Sequence, residues 1–237
     1  GNIEATTRRI HDEILAESQY LRTPNFRTIH PADLRLLFAR YDHEFFDGLV
    51  GETLGGSPLR FRLSNRMTSS GGMTTRKTDP RDGSHRYEIS VSTALLFGCF
   101  GGDDHRPITA SGIACHDRVD ALQRVMEHEI IHVVEILLWD KSSCARPRFQ
   151  HMSHRFFAHT DYTHRLITPR EKAQAKYGIR PGMTVRFRCN GLEKTGMIRR
   201  INKRASVLVE DRDGEPYSNG KRYSTFYVPP RLLAIAE

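Results

Sequence analysis

The sequence predicts an α+β protein: a helix-rich N-terminal domain built on a small sheet, then an all-β small barrel. Three observations predict it. Apolar residues recur at three- and four-residue steps over 3–21, 31–47, 118–139 and 147–158, the spacing of helices with one buried face. Within 59–91 the period drops to two, as in half-buried strands. Beyond Gly182, short alternating runs are separated by Asn190-Gly191, Asn202-Lys203 and Asp213-Gly214, the turn chemistry of hairpins. The implied boundaries are 1–166 for the first domain, 167–179 for a linker and 180–237 for the barrel.

Taken in order, Ile10, Ile14 and Leu15 sit among charges in a first amphipathic helix. Pro31 opens a second at a first-turn position, Leu34, Leu37, Phe38, Tyr41 and Phe45 form its buried face, and Gly48 stops it. Leu59 to Leu63, Met73 to Lys77 and Tyr87 to Val91 read as antiparallel strands. Ser69-Ser70-Gly71-Gly72 and Asp79-Pro80-Arg81-Asp82-Gly83 read as turns, and 98–107 as a loop. Arg118 to Trp139 is the strongest helix. Ile130, Ile131, Val133, Val134, Ile136, Leu137 and Leu138 surround its axis, so it is buried all round. Pro147 to Ala158 makes a short helix with Phe149, Met152, Phe156 and Phe157 inward, and 168–178 reads as helical after Pro169. Strands at 185–188, 195–201, 205–210 and 223–228 complete the barrel.

Composition narrows the class. Hydrophobic residues at 38% and charged residues at 27% describe a globular chain rather than a disordered one. No apolar run approaches the ~20 residues that span a bilayer, and no signal pattern opens the chain, so the expected address is the cytoplasm with no membrane partner. Cys99, Cys115, Cys144 and Cys189 are scattered without a C-x-x-C pair, against a disulfide scaffold and a zinc ribbon. The net charge of +8 favours a polyanionic partner. Oligomeric state is not legible.

Chemistry concentrates in His128-Glu129-Ile130-Ile131-His132. Four residues of helix set the two imidazoles about 6 Å apart along one face, within reach of one zinc ion. Glu129 projects beside them as a general base for a metal-activated water, not as a ligand. Burying two imidazoles and the carboxylates of Glu129 and Glu135 in an apolar helix is costly unless they are paired or metal-bound. The bland reading is a pair of hydrogen-bonded core histidines. Glu135 lies a turn below His132, suited to support that ligand from behind. The third ligand must come from elsewhere: Cys144, His151, His154, His159 and His164 are within reach in sequence. His151 and His154 fall on the solvent side of their helix.

Phe38 to Phe46, Arg66-Met67-Thr68-Ser69-Ser70-Gly71-Gly72, Tyr87-Glu88-Ile89-Ser90 and the H-E-x-x-H helix, in this order, resemble the SprT-like domain of the Spartan-type proteases over about residues 30–166. The resemblance implies a minimal zincin-like metallopeptidase domain, zinc held by His128 and His132, Glu129 as catalytic base, and cleavage of proteins bound or crosslinked to DNA, a DNA-repair activity. Thr163-His164 resembles a Thr-His pair that the family places after its next helix. The family usually takes its third ligand from a His-Gly-x-x-Phe segment. Here the equivalent run is Ala145-Arg146-Pro147-Arg148-Phe149, which makes the neighbouring Cys144 the expected third ligand and His159 the alternative.

The family's C-terminal zinc ribbon is replaced by the barrel, whose strands opening at Gly182 and Gly196 resemble KOW- or Tudor-like modules. Residues 178–237 hold twelve Lys and Arg against six Asp and Glu. Arg186, Arg188, Arg199, Arg200, Lys203 and Arg204 are candidates to track phosphates, with Phe187, Tyr223 or Tyr227 as stacking surfaces. Two functions follow as expectations: a zinc endopeptidase acting on protein substrates held at DNA, or a non-catalytic nucleic-acid-binding protein with a structural zinc site.

Overall fold

Local capping sets the first helices. In the computed structural model, which describes residues 2–102 and 104–236, Asn2 accepts from the Glu4 and Ala5 amides and starts α1 (Ile3–Glu17), whose Ile10 and Ile14 are fully buried. His30 Nδ1 accepts from the Ala32 amide and Asp33 accepts from the His30 amide, a reciprocal cap that opens α2 (Pro31–Phe46). A further turn, α3 (Leu49–Leu54), follows Gly48, where the pattern had suggested only a stop. Its first amides are held by the Asp42 carboxylate, which accepts from Val50 and Gly51 at 3.0 and 2.8 Å. That anchor comes from the preceding helix, so no local cap signal announces it.

The strands β1 (Leu59–Ser64), β2 (Gly72–Thr78) and β3 (His85–Ser92) form one sheet in the order β1-β3-β2. β2 and β3 are antiparallel, but β1 and β3 are parallel, with Leu59 opposite Tyr87. The expected all-antiparallel sheet is therefore corrected to a mixed one. The third strand inserts between the first two, and period-two alternation is the same for either direction. A short helix, α4 (Thr93–Leu96), leaves β3 through the Ser92 cap.

A second small sheet was not read from the pattern. Its strands are β4 (Thr109–Ala110), β5 (Ile113–Ala114) and, after two helices, β6 (His164–Arg165), in the order β5-β4-β6. Ser111 and Gly112, both at positive φ, turn the β4–β5 hairpin.

Between them runs α5 (Arg118–Trp139), capped by Asp117 and buried along most of its length, with β2, α2 and α6 packed against it. α6 (Pro147–Phe157) buries Phe149 and Phe157, the latter edge-on to Tyr41 at 5.6 Å. These elements make the first of two compact units, Gly1–Leu166.

The second unit, Ile167–Glu237, begins with α7 (Pro169–Tyr177), opened by a Thr168/Glu171 capping box. The segment expected as a linker is thus a structured part of this unit: Ala173 and Ile179 share a core with Val185, Phe187, Ile198 and Val207. Strands β7 (Thr184–Cys189), β8 (Leu192–Ile201), β9 (Ala205–Pro216), β10 (Arg222–Val228) and β11 (Ala234–Ile235) form an antiparallel sheet ordered β10-β9-β8-β7-β11. The expected closed barrel is corrected to an open sheet, since among the described residues no ladder joins β10 to β11. β11 has only two residues, too few to close it, and α7 seals the core instead. Among the described residues no helix is long and apolar enough to cross a membrane.

Candidate metal centre and its cleft

The metal-type side chains meet at the middle of α5. One helical turn brings His128 Nε2 and His132 Nε2 to 3.1 Å, and Phe149 of α6 packs against both rings at 4.7 and 4.5 Å between centroids. Cys144, on the loop before α6, joins them: one donor atom from each of His128, His132 and Cys144 lies within 4.8 Å of the others. A second set of donors within the same limit comprises His128, Glu129 and His164. The two sets share His128, and either can hold a metal ion.

Hydrogen bonding fixes the state of His132. Ser142 Oγ donates to Glu135 Oε2 at 2.6 Å, and Glu135 also accepts from Arg148 Nε at 2.7 Å and the Ser143 amide at 3.2 Å. With its proton committed, Ser142 Oγ must accept from His132 Nδ1, 2.5 Å away, which leaves a lone pair on Nε2 facing His128. Glu135 thus supports His132 through Ser142, and the Arg148 guanidinium is itself held 4.3 Å over the Trp139 ring.

The buried imidazoles favour the neutral, ligating form. Burial lowers the pKa of His132 to about 4 against the opposing pull of Glu135. Burial, with neighbouring His159 and His132, brings His164 to about 4, Asp161 resisting, and burial together with His164, His132 and His159 pushes His128 far down. His128 Nδ1 and both ring nitrogens of His164 are buried without a hydrogen-bond partner. The facing Nε2 atoms of His128 and His132 and the nearby Cys144 thiol are a donor set suited to a divalent ion with nitrogen and sulfur affinity. The Cys144 thiol is pushed up by burial and by the charges of Glu129 and Glu135, so it stays protonated until a cation displaces the proton.

Glu129 lies against β2. Burial raises its pKa to about 7, although Thr74 Oγ1, 2.7 Å from Oε2, partly offsets this. A β-carbon on Gly72 would come within 2.5 Å of Glu129 Oε1, and one on Gly71 within 3.2 Å of His164 Cδ2. The Ser-Ser-Gly-Gly run read as a turn therefore also makes room for two polar side chains. His128, Glu129, His132, Cys144 and His164 line one cleft of about 630 Å³ beside Gly72 and Thr74.

His159 does not join this centre. Its Nε2 is 2.8 Å from Glu127 Oε2, and Glu127 also meets Arg124 and the Tyr41 hydroxyl in a buried network below. His151 is exposed, and His154 Nδ1 bonds to the His159 carbonyl. His164, one of the five side chains within reach as third ligand and half of the Thr-His pair, does reach the centre, but a two-residue strand carries no periodic signal that would single it out.

In the second unit, Arg186 and Arg188 project from one face of β7, with Thr195 and Glu193 opposite them on β8. Arg199 lies over the Tyr217 ring and donates to its hydroxyl at 3.2 Å, Arg200 donates to Asn202, and Lys203 and Arg204 are exposed in the β8–β9 turn. The six basic residues form two groups, about 13 Å apart along β8. Phe187 is a core residue and is withdrawn as a stacking surface, whereas Tyr227 is 67% exposed. No family model matches the chain, and neither a curated protein nor a solved structure matches it at a significant level.

Proposed function

We propose that the first unit is a zinc-dependent endopeptidase of the SprT-like kind, a minimal zincin-like domain. The observation that carries this reading is the meeting, in one open cleft, of the His128 and His132 nitrogens with the buried Glu129 carboxylate. His128 and His132, with Cys144 as third ligand, would hold the ion. Bound zinc supplies Lewis acidity that acidifies a water and polarises a carbonyl. Glu129, a buried carboxylate facing the same cleft, takes the proton of the attacking water and returns it to the leaving amine. Thr74 holds that carboxylate on the cleft side of β2.

The cleft also suits an extended chain. β2 is an edge strand that pairs only with β3 among the described residues, and Gly72, Met73 and Thr74 line the cleft. An edge strand offers backbone donors and acceptors to a peptide laid beside it. The open basic sheet of the second unit, which we read as a KOW- or Tudor-like module, would hold DNA and so select substrates bound or crosslinked to it.

The test is cleavage of a basic protein on DNA by the zinc-loaded full chain. Glu129→Gln should lower the rate on the order of 10³-fold while zinc content stays unchanged. Equal cleavage by parent and variant would remove Glu129 from the mechanism. An inactive parent whose cobalt form shows closed tetrahedral coordination would instead establish a structural zinc site in a nucleic-acid-binding protein.

A further inference from the structure

Accepting the peptidase reading, we infer that His164 is a second catalytic residue, the hydrogen-bond donor that receives the oxyanion of the tetrahedral intermediate. Its position argues for this role. His164 groups with Glu129 and His128, whereas Cys144 groups with His128 and His132, so His164 belongs to the base's side of the shared imidazole. Its ring lies 4.6 Å from that of His128 and lines the cleft where a scissile peptide must enter.

The chain holds this side chain in place while leaving its nitrogens free. The backbone of His164 is fixed by pairing with Ala110 of β4, and Thr163 before it donates through both its amide and its hydroxyl to Asp161. Gly71 leaves room for the ring, as Gly72 leaves room for Glu129. Two adjacent glycines thus seat the two polar groups flanking the reaction position. Neither His164 nitrogen has a partner within the protein, although a buried polar atom left unpaired costs stability. A donor reserved for charge that exists only during reaction accounts for that cost.

The step balances without another reagent. The water oxygen bonds to the carbonyl carbon, one water proton passes to Glu129, and the carbonyl π pair moves to oxygen. The His164 N–H donates a hydrogen bond to that oxygen and keeps its proton. The C–N bond then breaks as the oxyanion pair re-forms the carbonyl, and Glu129 delivers its proton to the departing nitrogen.

The experiment compares parent, His164→Ala and His164→Gln in zinc content, cobalt spectrum, steady-state kinetics and affinity for a phosphinic peptide that mimics the tetrahedral oxyanion. Expected for His164→Ala are one zinc per chain, an unchanged cobalt spectrum, KM within about threefold and kcat lower by about 10²-fold. Binding of the phosphinic peptide should weaken by a similar factor, and His164→Gln, which keeps a donor, should recover part of both losses. His164→Ala that retains the parent's kcat overturns the inference. So does His164→Ala that loses zinc or changes the cobalt spectrum, which would make His164 a ligand. Because the parent's activity and its loss in Glu129→Gln are measured separately, either result leaves the peptidase reading standing.

Discussion

At the scale of single residues, Gly72 and Thr74 show how a strand prepares a base on a neighbouring helix. A methyl group at position 72 cannot coexist with Glu129 where it stands, because the carboxylate oxygen would be 2.5 Å from it. Gly72→Ala is therefore expected to displace Glu129, costing about 1–3 kcal/mol of stability by overpacking and at least tenfold in kcat, measured by denaturant unfolding and by peptide cleavage. Thr74→Val is nearly isosteric and removes the hydroxyl that lies 2.7 Å from Glu129 Oε2 and 3.1 Å from the Glu129 carbonyl oxygen. It should lower kcat by about tenfold with zinc retained, and Thr74→Ser should restore it; an unchanged kcat in Thr74→Val would show that the hydroxyl does not position the base. The pair of histidines and Glu129 were legible because a helix converts spacing into direction. His164 was one of five candidates that the sequence could not rank, because it reaches the centre through pairing of a two-residue strand.

At the scale of elements, α5 was legible to the residue, Arg118 to Trp139, since its apolar run and Asp117 cap are local signals. The parallel pairing of β1 with β3 was not, because side-chain alternation carries no strand direction. The support of the metal helix from the following loop was only half legible: Glu135 could be placed beside His132, but Ser142 between them could not. Ser142→Ala should weaken zinc binding by roughly 10–100-fold, read by chelator competition, and an unaltered affinity would show that the relay does not orient His132.

The start of α5 carries a pH dependence. His11 Nε2 lies 3.3 Å from Asp117 and 3.9 Å from Asp120, and Nδ1 3.1 Å from Asp12. The Asp117 hydrogen bond raises the His11 pKa against burial, with Asp12 and Asp120 adding to the rise. Burial works to raise Asp117, but the bonds from His11 and the Asp120 amide win and lower it. A raised histidine stabilises below its unfolded value near 6.5 and loses that contribution as pH rises through the folded one; a lowered aspartate stabilises above about 4 and loses it on acidification. The pair therefore contributes most between about pH 4 and 6.5. His11→Asn should lose more unfolding free energy at pH 5.5 than at pH 8.5, and equal losses would mean that the pair is not ionised in the folded protein.

At the scale of the whole molecule, each unit has its own core. The second encloses Ala173, Ile179, Phe187, Ile198 and Val207, all from its own residues, so a fragment spanning 167–237 should unfold cooperatively and be indifferent to metal chelation. Its charge is the basis for the last test. If Arg199, Arg200, Lys203 and Arg204 each neutralise one phosphate of a single strand, log K falls with log salt with a slope of about −0.7 per contact. Replacing all four with Ala should flatten the slope by about 3, and replacing Arg186 and Arg188 by about half that. Tyr227, exposed on β10 and in register with Arg200 through Ser206 of β9, contributes by stacking rather than charge. Tyr227→Ala should weaken binding by roughly 1–3 kcal/mol at every salt concentration and leave the slope unchanged. A slope insensitive to the four substitutions would show that this basic face is merely solvated, and that any recruitment to DNA uses another surface.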